Sequence, residues 1–152
     1  MALEGAEWEQ VGAIEVDSAT VAIAEATHFD AIIAVRDDLV GRRDGSARSL
    51  GIEMVHVITG VDTLYPVEVA YTADGSLAGL RVEFVTDVDE LDGVWRPLDS
   101  ISLTSGECLV ADPFCLPNEV YWLTLPSPTG IFPVEVFDWD GETLGVRAVF
   151  TR

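Results

Sequence analysis

The feature that most restricts how this chain can fold is an internal repeat. Tyr65 to Phe84 reads YPVEVAYTADGSLAGLRVEF, and Phe132 to Phe150 reads FPVEVFDWDGETLGVRAVF. With Ala73 skipped, nineteen positions align and nine are identical: Pro66/Pro133, Val67/Val134, Glu68/Glu135, Val69/Val136, Asp74/Asp140, Gly75/Gly141, Gly79/Gly145, Arg81/Arg147 and Phe84/Phe150. Self-similarity of this kind means that one supersecondary unit is built twice. A fainter match continues upstream, where Asp17 to Asp30 lies over Asp99 to Asp112 without a gap. Between these blocks, Glu53-Met54-Val55-His56 resembles Glu119-Val120-Tyr121-Trp122. The offsets run 82, 66 and 67, and the drop places one insertion in the first copy, at about residues 31–52.

The repeats read as strands. Val, Ile, Thr and aromatic residues dominate, and no stretch keeps a 3.6-residue apolar period over three turns. Asp74-Gly75 and Asp140-Gly141 each separate two Val-rich alternating runs, the strongest short-range hairpin signal. Pro66 and Pro133 stand at strand starts, where a missing N–H is tolerated. The second copy predicts strands near Ile101–Thr104, Cys108–Ala111, Val120–Leu125, Pro133–Trp139 and Leu144–Phe150. Ala22–Ala34 is alanine-rich enough for a short helix, and Leu39–Leu50 is a polar loop. The expected architecture is mainly β: one domain over residues 1–152, formed by copies at about 14–84 and 97–150 with a linker at 85–96. Two such units close into one barrel or sandwich about a pseudo-twofold axis, since closure or face packing deals with exposed edges.

Composition narrows the function. The 152 residues carry 27 acidic and 8 basic side chains, a formal charge of −19, and all eight basic residues are arginine. A broad phosphate-binding surface is not expected, so nucleic acid is excluded as a partner. No window reaches the length of an apolar membrane span, and Met1 to Gln10 carries glutamates where a secretory signal carries positive charge; both point to the cytoplasm. Cys108 and Cys115 are the only cysteines, and as two thiols without a nearby histidine they make neither a zinc site nor an expected disulfide. Asp87-x-Asp89-Glu90-x-Asp92 lacks the spacing of a calcium loop and reads as solvated linker.

Ser105-Gly106, Asp112-Pro113 and Gly130-Ile131-Phe132-Pro133-Val134 form a further pattern. It resembles a bacterial family of small β proteins of unknown function, whose recurrent features are an S-G turn, a D-P pair and G-x-Y/F-P-V. The resemblance covers Ser105 to Val136, while the first copy departs from it with Ala24 at the glycine and Phe29-Asp30-Ala31 at the Asp-Pro. It implies a compact β fold and a bacterial origin, and no activity. The same residues have plain structural roles as a tight turn, a strand exit and a strand start.

Two sets of side chains are candidates for function. Asp30, Glu68, Asp112 and Glu135 would bind a cation or a cationic ligand group if they converged near the pseudo-axis, with Asp99 able to join them. Glu68 and Glu135 alternate with valines and so face away from the core. Arg36, Arg42, Arg43 and Arg48 are half of the basic residues and fall within thirteen positions of the insertion; a loop gained by one copy is where a partner contact is placed at little cost to the scaffold. No nucleophile elbow, phosphate loop, dinucleotide fingerprint or zinc-protease motif occurs, so no catalytic residue and no cofactor is assigned and the expectation leans away from an enzyme. The leading expectation is a non-catalytic protein-interaction module, immunity- or antitoxin-like, drawn by its charge to a partner with a basic surface and anchored by an aromatic such as Trp122 or Trp139. The alternative is a small-ligand or divalent-cation binding protein, or a hydrolase, working through the acidic set.

Overall fold

The computed structural model describes Leu3 and residues 6–86 and 88–151. Asp87 of the acidic run, and Met1, Ala2, Glu4 and Gly5 of the N-terminal segment, lie outside the described residues. Among the described residues, eleven strands and one short α-helix follow in order, with short 3-10 turns between them: β1 (Trp8–Glu15), β2 (Thr20–Glu25), α1 (Phe29–Val35), β3 (Gly45–Ser46), β4 (Met54–Ile58), β5 (Leu64–Tyr71), β6 (Leu77–Glu83), β7 (Val94–Leu103), β8 (Glu107–Ala111), β9 (Trp122–Pro126), β10 (Gly130–Trp139) and β11 (Glu142–Val149).

They make two antiparallel sheets, one of six strands in the order β1-β5-β6-β11-β10-β7 and one of five in the order β3-β4-β2-β8-β9. Both are open, so a closed barrel is not formed and the sandwich alternative holds at the level of two packed sheets. Alternation explains the packing. Val67, Val69, Val134, Val136 and Val146 turn inward from the six-stranded sheet to meet Val21, Ile23, Val55, Val57 and Val110 of the five-stranded one, each face burying every second residue.

The five-stranded sheet is covered on its other face as well. Ala22 and Ala24 of β2 and Leu109 and Ala111 of β8 pack under Ile32, Leu39, Ala47 and Ile52 of the insertion and under Leu116. This explains why all six residues of β2 are buried and why its pattern is a continuous apolar run. A strand apolar on both sides has no period-2 signature and, being alanine-rich, reads as helix. The expected helix over Ala22–Ala34 is accordingly corrected: Thr20–Glu25 is a central strand and the helix spans only Phe29–Val35. The expected linker at 85–96 is also shorter, because β7 begins at Val94.

The two Asp-Gly hairpins form as expected. Asp140 and Gly141 both take left-handed backbone angles, φ 50° and 80°, the pair a two-residue hairpin turn requires. The extra Ala73 gives a longer turn closed by Thr72 N–H to Ser76 O at 2.8 Å, with Gly75 at φ 88°. No helix among the described residues is long and apolar enough to cross a membrane.

Candidate functional site

The strand registers line up one polar row on the outer face of the six-stranded sheet. Glu68 stands opposite Arg81, Arg81 opposite Arg147, and Arg147 opposite Glu135. Arg81 Nε donates to Glu68 at 3.0 Å and its terminal nitrogens lie 3.4 Å from Glu83 and from Asp89. Arg147 Nε donates to Glu135 Oε1 at 2.7 Å, and its Nη2 forms an ion pair with the same oxygen at 2.7 Å. Each guanidinium also lies beneath an indole, Arg81 at 4.3 Å from the Trp8 ring centre and Arg147 at 4.3 Å from that of Trp95. Both arginines are buried, against their usual exposure. Charge balance permits it: at an effective dielectric near 20, two like charges about 5 Å apart repel by roughly 3 kcal/mol, whereas each Glu–Arg contact near 3 Å attracts by roughly 5. Glu68 and Glu135 thus share a face but stand three strands, about 14 Å, apart, each already neutralised by its own arginine.

Asp112 occupies a different place, where the β8 strand ends. It is fully buried and accepts the backbone N–H groups of Asp17 (2.8 Å), Ser18 (2.9 Å) and Phe114 (3.0 Å), with the Ser18 hydroxyl at 2.5 Å. Glu25, at the end of β2, does the same for the turn after β7. Its Oε1 accepts Thr104 N–H at 3.0 Å, Ser105 N–H at 2.9 Å and the Ser105 hydroxyl at 2.7 Å, while Oε2 takes Thr27 N–H at 2.7 Å and the Thr27 hydroxyl at 2.5 Å. Burial alone would raise the Glu25 carboxyl, but the hydrogen bonds from Thr27 and Ser105 outweigh it and hold it at about 2. Asp30 is exposed in the first turn of α1, and Asp99 accepts the Ser100 N–H at 2.8 Å and faces Arg48 at 3.5 Å. The four acidic candidates therefore stand at three separate places, and among the described residues no group of three or more His, Cys, Asp or Glu is arranged to hold a metal ion.

The thiols are inert at neutral pH. Burial, with Glu25 and Glu107 nearby, pushes Cys108 up to about 12, and burial together with Asp112 pushes Cys115 to about 12; neither supplies a thiolate nucleophile. His28 is occupied structurally, its Nδ1 accepting the Glu53 N–H at 3.0 Å. Of the aromatic anchor candidates, Trp122 packs edge-on against Phe29 at 5.0 Å and donates from Nε1 to Pro117 O at 3.2 Å, and Trp139 is half-buried at the end of β10.

The four arginines of the insertion divide. Arg36 is bonded to the carbonyl of Leu116. Arg48 reaches β7, donating to Ser100 O at 2.8 Å, with Glu53 3.5 Å away. Arg42 donates to Asp38 O and Ser49 Oγ, both at 3.0 Å. Arg43 is exposed and carries no hydrogen bond or ion pair among the described residues. Arg42 and Arg43 flank a cavity of about 440 Å³ between the insertion and β4, with His56 in its wall. No protein-family model, curated protein or solved structure matches this chain. None of them bears on the family expected from Ser105–Val136.

Several residues that organise the outer face and the turns were not singled out from sequence: Trp8, Trp95 and Glu25. Arg81 and Arg147 were visible as identities of the repeat. The signal for the tryptophans was their separation of 87 residues, which the upstream alignment at offset 82 hides.

Proposed function

We propose that the chain is a duplicated β sandwich serving as a non-catalytic protein-interaction module, whose partner presents a basic surface. The observation that carries this reading is how the charges are used. Most of the candidate side chains are spent inside the molecule: Glu68 and Glu135 on arginines, Asp112 on backbone amides, Arg36 and Arg48 on carbonyls. What remains for recognising a protein partner, apart from Arg42 and Arg43, is the surplus of exposed carboxylates behind the charge of −19. A field of that sign speeds encounter with a cationic surface and weakens in salt.

The duplication is supported by the registers. Ile14 pairs with Tyr65 as Ile101 pairs with Phe132, which favours an upstream offset of 87 over 82 and copies beginning at Trp8 and Trp95. At that offset Trp8/Trp95, Ile14/Ile101, Ser18/Ser105 and Ala24/Ala111 are identical. Glu25 then corresponds to Asp112, and the turn residues each one receives also correspond, Thr104-Ser105 against Asp17-Ser18. Ala19 and Gly106 fall together as well, both left-handed, at φ 54° and 83°. Each copy would supply three adjacent strands of the larger sheet, meeting at β6 and β11.

The test is capture from the native host on immobilised protein at low salt. A stoichiometric protein of basic pI, released as salt is raised toward 0.5 M, is expected; recovery of no stoichiometric partner at any ionic strength removes the interaction reading.

A further inference from the structure

The cavity beside the insertion combines three properties that occur together nowhere else among the described pockets. Arg43 offers an uncommitted guanidinium at its mouth, and Arg42 stands beside it with Nε and Nη1 engaged and Nη2 free of hydrogen bonds among the described residues. His56 lines the wall with 3% of its surface exposed and no hydrogen bond from its ring. Its nitrogens are not sealed from solvent, and the ring borders a space that a ligand can fill. Much of the remaining wall is apolar: Leu39 is buried, Phe114 half-buried, and Val40 and Ile58 form an exposed rim at 70% and 48%; Ser18 and Thr20 also line it, their hydroxyls donating to Asp112 and to the Ser18 carbonyl.

We propose that this cavity binds a small organic carboxylate: the carboxylate is held by Arg43 and Arg42 with His56 as a third polar partner, and its apolar body lies against Leu39, Ile58 and Phe114. The chemistry follows from the wall. A volume of about 440 Å³ lies in the ordinary range of small-molecule sites, roughly 300–1,000 Å³, which are apolar with a few convergent polar groups. A planar guanidinium fork matches a carboxylate bidentately. The local charge favours a monoanion over a phosphate dianion, because Asp44, which accepts the Ile58 N–H at 2.9 Å, offsets one of the two arginines. The −19 of the whole chain does not forbid an anion here, since charges beyond a Debye length of about 8 Å are screened at physiological ionic strength while the two arginines border the ligand itself.

Electrostatics at His56 supply an independent readout. Burial lowers its pKa, with Asp44 opposing that shift and Arg42 adding to it. The charged groups acting on the ring are thus Asp44 and Arg42, with Arg43 bordering the same cavity, and a bound carboxylate joins Asp44 in favouring the protonated ring. Its titration midpoint should move up when the cavity is filled.

Hexanoate is the probe, with 1-hexanol as its neutral isostere and inorganic phosphate as the dianion. The histidine ring signals in proton–carbon NMR are read during titration; the chain has only two histidines, distinguished with His28→Gln. Saturable movement of the His56 signals, with His28 unmoved, is expected at about 1 mM hexanoate, together with an upward shift of the His56 titration. Arg43→Ala and Val40→Asp, both at exposed positions, should each weaken hexanoate at least tenfold without lowering Tm. Three results would overturn the proposal: no saturable His56 shift by about 20 mM, equal binding of hexanol with Arg43→Ala unaffected, or phosphate binding more tightly than hexanoate.

Discussion

At the scale of single residues, the polar groups with most influence on this fold are the two carboxylates that end β2 and β8. Removing the Asp112 side chain strands three backbone donors, and Asp112→Ala is expected to cost about 3 kcal/mol, read as a fall in urea midpoint with unchanged slope. Glu25 carries a pH signature. Its folded pKa of about 2 lies below the ordinary 4.5, so its contribution is complete above 4.5 and is lost as pH falls through that window toward 2. Urea midpoints of wild type and Glu25→Gln should therefore converge across that acid range and separate above it. Two backbone positions give opposite signs. Ala19 sits at φ 54°, a strained setting for a residue with a Cβ, and Ala19→Gly is expected to stabilise by about 0.5–1 kcal/mol despite the entropy of glycine. At Gly93 a Cβ would stand 2.6 Å from Phe137 Cζ and 2.7 Å from the Asp138 carbonyl oxygen, so Gly93→Ala is expected to cost about 2 kcal/mol or more, measured the same way.

At the scale of elements, the insertion does more than carry arginines. It roofs the outer face of β2 and β8, which converts a half-exposed sheet into a buried layer. It also blunts an edge. Strand β7 ends the six-stranded sheet, and on its free side Arg48 satisfies Ser100 O at 2.8 Å while Glu53 Oε1 takes the Ser102 N–H at 2.9 Å. An edge whose donors and acceptors are met by side chains is a poor template for pairing with a second chain. The double variant Arg48→Ala, Glu53→Ala is expected to lose about 1–2 kcal/mol and to show concentration-dependent self-association in sedimentation velocity; a variant that stays monomeric across concentration would show that Pro97 and the strand's own twist protect the edge without them. The repeat identities Glu68/Glu135 and Arg81/Arg147 were readable in the chain. Their pairing into one row was not, because register between β6 and β11 is set where the two halves meet, far apart in sequence.

At the scale of the whole molecule, net charge and core act against one another. A surplus of nineteen negative charges raises the energy of the compact state through self-repulsion, whereas the buried Arg–Glu contacts of the outer face are screened much less by salt than exposed charges are. Stability is therefore expected to rise with sodium chloride between about 10 mM and 1 M, seen as an increase in Tm, with the steepest gain at low concentration where the Debye length shrinks fastest. A flat Tm over that range would mean that self-repulsion among the exposed carboxylates costs the fold little.

The amino-acid sequence by itself determined the mainly β class, the two Asp-Gly hairpins and the inward valines with outward Glu68 and Glu135, because hairpin turns and period-2 alternation are local properties of a few neighbouring residues. It also marked the arginine-rich insertion as the local exception to an acidic background. Only the tertiary structure decided that Ala22–Glu25 is a strand, since its apolar run is explained by burial on both faces. The separation of Asp30 and Asp112 from the Glu68–Glu135 row, and the opening of a cavity against His56 by Arg42 and Arg43, likewise depend on how the insertion lies over the five-stranded sheet. Such placements come from packing between segments distant in the chain, and no local pattern of residues encodes them.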